Sequence, residues 1–313
     1  MAHRKATARI EQLSSQLDSS KHSGCHNSLR SEVQSLLDQN KYDEASKKAL
    51  IAFLSPPKYK PQPSSLAILN KAQKKAIQFG TAQVQIYEWN PSSKTSIVLT
   101  HGFGTSAAFL APVIERLLIT TTSRIVTFDN PAHGESGGTH VSVGDTLEVL
   151  RSIIMRKLDA ERTVKALIGH SMGATTTFML LFKEPDLFSR QGIRPAFFAL
   201  NPPLQPTTLI YGFCKQQKFP LELVDGMRSA LRPSPEDVLR DRMGESGVAF
   251  KSLRVFVAQD EDDVVARPGD TAQLVEQLRS AEVKLEVKMT KGLGHFKIVG
   301  SPEVLEWIGT NCA

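Results

Sequence analysis

The chain has 313 residues, of which 41% are hydrophobic and 22% charged, which is the composition of a folded domain with a substantial core. No apolar run approaches the roughly 18 residues of a membrane helix, so a transmembrane segment is not expected. The net charge of +6 originates in residues 1–75, where 13 Lys and Arg face six Asp and Glu, against 25 and 26 in the remainder. The main domain is therefore not expected to bind nucleic acid, and only the basic N-terminal residues could contact a protein or an acidic surface.

Cysteine usage and the N-terminus bear on cofactors and compartment. Cys25, Cys214 and Cys312 form no CxxC pair, so neither a disulfide framework nor a zinc site is expected. The chain shows no metal-ligand spacing of His and acids and no phosphate-cradling GxxxxGK, so no cofactor is expected. The start lacks the apolar core of a signal peptide, and Glu11 and Asp18 argue against an organelle transit sequence. A cytoplasmic location is predicted.

The first 75 residues are predicted to form an N-terminal extension. Residues 1–30 are polar and rich in Ser and His, which indicates disorder. Apolar residues recur at helical spacing within 31–54, which predicts two short helices, and the four prolines of 55–65 indicate a linker. The helix pair either packs on the rest of the chain or docks it on a partner protein.

From about residue 76 to 313, short apolar strands alternate with helices. Strands are predicted at 83–89, 96–100, 124–129, 164–168, 196–200, 252–258 and 283–289, and helices near 144–158, 172–183, 269–280 and from 302. This order predicts an α/β fold with a mostly parallel central sheet covered by helices on both faces. Residues 202–250 interrupt the pattern with Pro and Arg and are predicted to form a small helical cap.

The segment GHSMG places a serine between a strand and a helix. Gly169 and Gly173 flank Ser171 at two positions on either side, where larger side chains would collide with the neighbouring strand and helix. This spacing is typical of a nucleophile elbow, in which the serine hydroxyl is exposed at the end of the strand. A Gly-rich connection with an incidental serine would have the same sequence. The choice between a nucleophile elbow and such a connection therefore depends on whether the chain also provides the other catalytic residues.

The segment HGFG follows the strand at 96–100, where a second backbone donor for an oxyanion hole is expected. The predicted donors are the amides of Phe103 and Met172, and Gly102 forms the supporting turn. The alternative is a tight turn with no further role.

The segment GLGHF provides an imidazole after the last strand. A loop at that place can bring His295 to the carboxyl edge of the sheet as a general base. His170 is adjacent to Ser171 and is expected to point away from its hydroxyl, while His101 and His133 lie in turns and are expected to form structural hydrogen bonds.

The acidic partner of His295 is expected in the segment QDEDDVV, which follows the strand at 252–258 at the same edge of the sheet. Four neighbouring carboxylates compete for this role, and the residues alone do not choose among them.

The segments HGFG, DNPAHGES, GHSMGA, QDEDDVV and GLGHF occur in an order that resembles the serine-nucleophile members of the α/β-hydrolase superfamily over about residues 80–310. In that family the acid stands three residues after a Gly and two before a Val, which implies Asp262 here. Gln259 replaces the Gly, so Asp260 and Asp263 are the alternatives. The resemblance further implies that Asp129 and Glu135 of DNPAHGES shape a turn.

Chemistry and resemblance together predict a hydrolase that cleaves an ester, thioester or related acyl substrate of small size. Ser171 would attack the carbonyl carbon, His295 would take its proton, and Asp262 would orient the imidazole. Acyltransfer, hydrolysis of a carbon–carbon bond, and a non-catalytic hydrolase fold that binds a ligand or partner remain open, because the sequence of the cap gives no code for a substrate.

Overall fold

The structure is a computed structural model that describes residues 23–157, 163–184, 187, 195–231, 237, 253–280 and 283–313. The predicted disorder of residues 1–22 lies outside these residues. Residues 23–30, also predicted to be disordered, belong to helix α1, which spans Ser23–Asp38. Leu29 packs against a hydrophobic core there, and this contact with residues distant in sequence could not be seen in the local composition.

The elements follow one another in the predicted alternating order. The strands are β1 Gln73–Phe79, β2 Ala82–Trp89, β3 Thr95–Thr100, β4 Arg124–Phe128, β5 Thr163–His170, β6 Ala196–Leu200, β7 Arg254–Asp260 and β8 Lys284–Thr290. After α1, the helices are α2 Tyr42–Phe53, α3 Pro63–Leu69, α4 Ala111–Thr120, α5 Val143–Lys157, α6 Met172–Lys183, α7 Pro206–Gln217, α8 Leu223–Ala230, α9 Pro268–Ser280, α10 Gly294–Lys297 and α11 Pro302–Cys312, and short 3-10 turns span Ala107–Leu110 and Ile298–Gly300.

Eight strands form one sheet in the order β1-β2-β4-β3-β5-β6-β7-β8. The pairs β1–β2 and β2–β4 are antiparallel, and every later pair is parallel. The carboxyl ends of β3, β5, β6, β7 and β8 therefore meet at one edge of the sheet, where the predicted site residues follow the strands. The predicted fold class is confirmed.

The central strands are buried on both faces, which explains their continuous apolar runs. Side chains of α5, α6 and α9 form a hydrophobic core with one face of the sheet. Side chains of α3, α4 and α11 form a second core with the other face. The two cores fix the sheet as a rigid platform for the loops at its carboxyl edge.

The described chain divides into two compact units at positions that differ from the predicted boundaries. One unit, here the helical unit, combines the N-terminal residues up to Ser55 with Gln205–Asp237. The other, here the sheet unit, comprises Pro56–Leu204 and Val238–Ala313. The predicted boundary near residue 75 therefore falls at Ser55, because α3 and β1 pack within the sheet unit.

The helical unit joins the predicted helix pair to the predicted cap. Its core lies between α2 of the extension and α7 and α8 of the cap, with Ala45, Ala49, Ile210, Leu223 and Met227 among its buried residues. A Cβ at Gly226 would lie 2.4 Å from the Ser46 hydroxyl, so α8 and α2 approach closely. The helix pair thus packs on the chain itself, as the first of the two interpretations expected. Most of residues 232–250, the second half of the predicted cap, lie outside the described residues.

Within the described part of the chain, no helix combines the length and the apolar character needed to cross a membrane.

Candidate active site

Ser171 stands at a sharp turn between β5 and α6. Its backbone has φ 54° and ψ −125°, a combination that is costly for a residue with a side chain. A Cβ at Gly169 would lie 2.5 Å from the backbone of Ala174, and one at Gly173 would lie 2.1 Å from the carbonyl oxygen of Thr100. Both positions therefore require glycine for the helix to approach the sheet this closely. The turn has the geometry that the GHSMG spacing predicts.

His295 links the serine to a carboxylate. Its Nε2 lies 2.8 Å from the Ser171 Oγ, and its Nδ1 lies 2.7 Å from the Asp263 Oδ2. The three residues are 3 to 7% exposed, so the hydrogen bonds are shielded from water. Because Nδ1–H can donate only to the carboxylate, Nε2 is left to accept the hydroxyl proton. An acid, an imidazole and a hydroxyl thus stand in the order that activates a serine.

The acid in this chain of hydrogen bonds is Asp263, and the prediction of Asp262 is corrected. Asp262 is exposed, and its Oδ2 accepts the Gly292 amide at 3.0 Å. Asp263 is buried because the backbone turns back after β7, where the Asp263 amide donates to the Asp260 carbonyl. The Asp263 Oδ1 accepts the amides of Val265 and Ala266 at 2.7 and 2.9 Å, which leaves Oδ2 directed at His295.

Asp260 joins the loop that carries the acid to the loop that carries the imidazole. Its buried carboxylate accepts four hydrogen bonds, from the Thr290 hydroxyl and from the amides of Asp262, Leu293 and Gly294. Burial alone would raise the pKa of this carboxyl, but the four donors outweigh burial and hold the pKa below its ordinary value. Asp260 is therefore ionised and fixes both loops.

Asn201, which follows β6, makes a second connection between the same loops. Its Nδ2 donates to the carbonyl oxygens of Gly294 and His295 at 3.0 and 3.2 Å, and its Oδ1 accepts the Asp260 amide at 2.9 Å. The backbone has φ 47°, a conformation that asparagine tolerates better than most residues. The His295 carbonyl also accepts the His170 Nε2–H at 2.8 Å.

The HGFG turn lies directly against the serine. A Cβ at Gly102 would stand 2.7 Å from the Ser171 Cβ, so the position requires glycine. Among the described residues, neither the Phe103 amide nor the Met172 amide has an acceptor in the protein. Both are free to bind an oxyanion, and their role as the donor pair stays a prediction.

Two buried histidines support that turn. His101 Nε2 accepts the Asn130 amide at 3.0 Å, and His133 Nε2 accepts the Gly104 amide at 2.9 Å. Burial lowers the pKa of His101 to about 4, and burial is also the main cause that lowers the pKa of His133 to about 3. Both rings are therefore neutral at physiological pH and carry their proton on Nδ1.

The third buried histidine, His170, donates from Nε2 to the His295 carbonyl, and among the described contacts its ring makes no hydrogen bond with the Ser171 hydroxyl. Burial is the main cause that lowers the pKa of His170 to about 3. His295 is therefore the only one of these four imidazoles that contacts the serine hydroxyl.

Asp129 of the DNPAHGES segment has the turn-shaping role that was predicted for it, whereas Glu135 takes part only through its backbone amide. The Asp129 carboxylate accepts the Tyr87 hydroxyl and the amides of Ala107 and Glu135 at 2.8 to 2.9 Å. A Cβ at Gly134 would collide with this carboxylate at 2.2 Å. Asp129 thus anchors the chain that follows the HGFG turn to the turn of its own segment. The Glu135 carboxylate pairs with Lys74 at the surface.

Sequence reasoning did not identify the positioning roles of Asp260 and Asn201. Asp260 was predicted only as an alternative acid, and no role was predicted for Asn201. Both roles depend on side-chain bonds to the backbone of a distant loop, for which short motifs carry no signal.

Among the described residues, no group of three or more His, Cys, Asp or Glu could hold a metal ion.

Comparisons with known proteins agree with this fold. A family model described as "Alpha/beta hydrolase family" matches residues 97–304. A sequence comparison with curated proteins found no match.

Solved structures with a similar fold include several hydrolases. The Pyrococcus furiosus esterase Pf2001 is 20% identical with a TM-score of 0.58, over 82% of this chain and 97% of that one. A thioesterase domain from the curacin biosynthetic pathway is 16% identical with a TM-score of 0.51, over 77% and 98%. An alpha-beta serine hydrolase homologue from Coxiella burnetii is 15% identical with a TM-score of 0.50, over 77% and 97%. Because the family model covers most of the chain, the protein belongs to the alpha/beta hydrolase family.

Proposed function

We propose that this protein is a serine hydrolase that cleaves a small ester, thioester or related acyl substrate through an acyl-enzyme. The observation that carries the proposal is the continuous path from the Asp263 carboxylate through His295 to the Ser171 hydroxyl, with steps of 2.7 and 2.8 Å. Both distances are within hydrogen-bonding range, and the second allows the imidazole to take the hydroxyl proton as the oxygen attacks.

The proposed reaction proceeds in two steps. Ser171 Oγ attacks the carbonyl carbon while His295 Nε2 takes its proton, and the Asp263 carboxylate stabilises the imidazolium that forms. The amides of Phe103 and Met172 hold the oxyanion, and the start of α6 favours its negative charge. His295 then protonates the departing alcohol or thiol. Water, activated by the same imidazole, hydrolyses the acyl-enzyme.

A fluorophosphonate probe tests the proposal, because it forms a covalent bond only with an activated serine. We expect labelling of the wild type and of Ser280→Ala, a surface control, and none of Ser171→Ala. A second experiment tests hydrolysis itself: p-nitrophenyl acetate and an acetyl thioester are offered as substrates, and the release of acid is measured at pH 7 to 8. A folded wild type that is neither labelled nor active would indicate a non-catalytic binding protein instead.

A further inference from the structure

Three aromatic rings of the sheet unit form a row that begins beside His295. The rings of Tyr59 and Phe109 meet edge to face with centroids 6.2 Å apart, and those of Phe109 and Phe296 do so at 6.1 Å. Phe296 is 39% exposed and the other two are half-buried. The Phe296 ring stands 5.0 Å from the His295 ring. These residues, here the aromatic rim, form an apolar surface that continues from His295 to Tyr59.

The segment that precedes α3 belongs to this surface. The Pro57 ring lies 3.3 Å from the position of a Cβ at Gly104, so it packs on the HGFG turn. Two residues later, Tyr59 packs on Phe109, which follows the same turn. The segment predicted to be a linker is thus attached to the site at two points, and its prolines limit its backbone freedom.

The proposed chemistry decides which part of a substrate the rim would face. The carbonyl oxygen must lie at the HGFG turn, and the leaving oxygen must lie within reach of His295 Nε2 to receive its proton. Groups around the His295 ring are therefore on the side of the leaving alcohol or thiol. Half-exposed aromatic rings bind apolar and aromatic groups by burial and by edge-to-face contact.

We infer that the aromatic rim is the binding site for an apolar or aromatic leaving group of the substrate. The inference rests on the proposed function, since it assumes attack by Ser171. It assigns a role in substrate selection to Tyr59 and, through Pro57, to the segment before α3.

Two ester series test the inference on the full-length protein. Ethyl, hexyl and benzyl acetate vary the alcohol, and ethyl hexanoate varies the acid. For Tyr59→Ala we expect kcat/KM on benzyl and hexyl acetate to fall about tenfold, mainly through KM, with little change on ethyl acetate or ethyl hexanoate. Tyr59→Phe keeps the ring and is expected to restore wild-type selectivity.

The matched control is Ile119→Ala, which also removes an exposed apolar side chain. Ile119 is 78% exposed and lies near the far end of α4, a ten-residue helix that leads about 15 Å away from the HGFG turn. All variants are normalised to the fraction labelled by fluorophosphonate, so a loss of folded protein does not count as a loss of selectivity.

The outcomes separate the two proposals. An equal loss on all four esters, a loss confined to ethyl hexanoate, or unchanged kinetics would each overturn the leaving-group site while the wild type remains an active hydrolase. A wild type that is neither labelled nor active would overturn the proposed function, and the inference with it.

Discussion

Different interactions stabilise the site and the helical unit, each within itself. Around the triad, carboxylate and amide side chains bind named backbone groups, as Asp260 and Asn201 do for the two loops. In the helical unit, the contacts between α2, α7 and α8 are mainly apolar. Hydrogen bonds fix direction, and catalysis needs atoms placed to a fraction of an ångström, whereas helix packing needs matched volume. The two regions should therefore respond differently to substitution.

The largest expected effect is a difference in activity between substitutions at two neighbouring carboxylates. Asp263→Asn removes the charge beside His295 and favours the wrong tautomer, so we expect kcat to fall by about 10⁴-fold. The matched control Asp262→Asn changes an exposed carboxylate, and we expect activity near that of the wild type. Steady-state kinetics of both variants measure the difference. The reverse ranking would restore the assignment of Asp262.

The next expected effect concerns positioning by Asn201. Asn201→Gly removes three hydrogen bonds while the backbone keeps its left-handed conformation, so we expect kcat to fall about 10- to 100-fold with little change in KM. Asn90→Gly is the control, since Asn90 also has a positive φ and donates to a carbonyl, that of Ser123, away from the site. Equal kinetics of the two variants, per labelled molecule, would contradict a positioning role.

Replacement of two glycines by alanine tests the packing of the helical unit. At Gly226 an added Cβ meets Ser46, so we expect Gly226→Ala to destabilise this unit by about 1 to 3 kcal/mol through overpacking. At Gly212, on α7, nothing lies within 4 Å of an added Cβ, so Gly212→Ala is expected to stabilise the helix by about 0.5 to 1 kcal/mol. Denaturant unfolding measures both changes. A stable Gly226→Ala variant would contradict the close approach of α8 to α2.

The smallest expected effect is a change in how stability depends on pH when the buried imidazole of His133 is replaced. The pKa of His133 is about 3 in the folded protein, against about 6.5 in the unfolded chain. Between these values only the unfolded state binds the proton, so stability is full above about pH 6.5 and falls as the pH drops. We expect His133→Gln to reduce this slope by up to about 1.4 kcal/mol per pH unit.

Urea unfolding at pH 7, 6 and 5 provides the measurement for this histidine. His140→Gln is the control, because it makes the same replacement at an exposed position. Equal slopes in the His133→Gln and His140→Gln variants would show that the buried imidazole does not contribute to the acid sensitivity.

The sequence predicted the platform of the site well. The central strands are continuous apolar runs and the glycines of GHSMG are required by close contacts, so the order of elements and the placement of Ser171 and His295 follow from local pattern. β1 and α3 were missed because QKKAIQF is a largely exposed edge strand and the short α3 lies next to the prolines read as a linker.

The choice between Asp262 and Asp263 could not be made from sequence. Asp260 ends β7 and three more carboxylates follow it, and which of the four faces His295 depends on a single turn closed by the Asp263 amide. Gln259 adds to this turn, because its side chain donates to the Asp260 and Ala266 carbonyls and receives the Thr271 hydroxyl. The family spacing that predicted Asp262 assumes a Gly at position 259. In this chain Gln259 stands there, and the acid that bonds His295 is one residue later, at Asp263.

The composition of the helical unit has a consequence for the synthesis of the protein. Helices α1 and α2 leave the ribosome before their partners α7 and α8, which follow about 150 residues later. At typical translation rates this delay lasts about 8 to 30 s. During that time the apolar faces of the first helices lack the side chains that cover them in the finished protein. Helices α1 and α2 can therefore reach their final packing only after strands β1 to β6 have been synthesised.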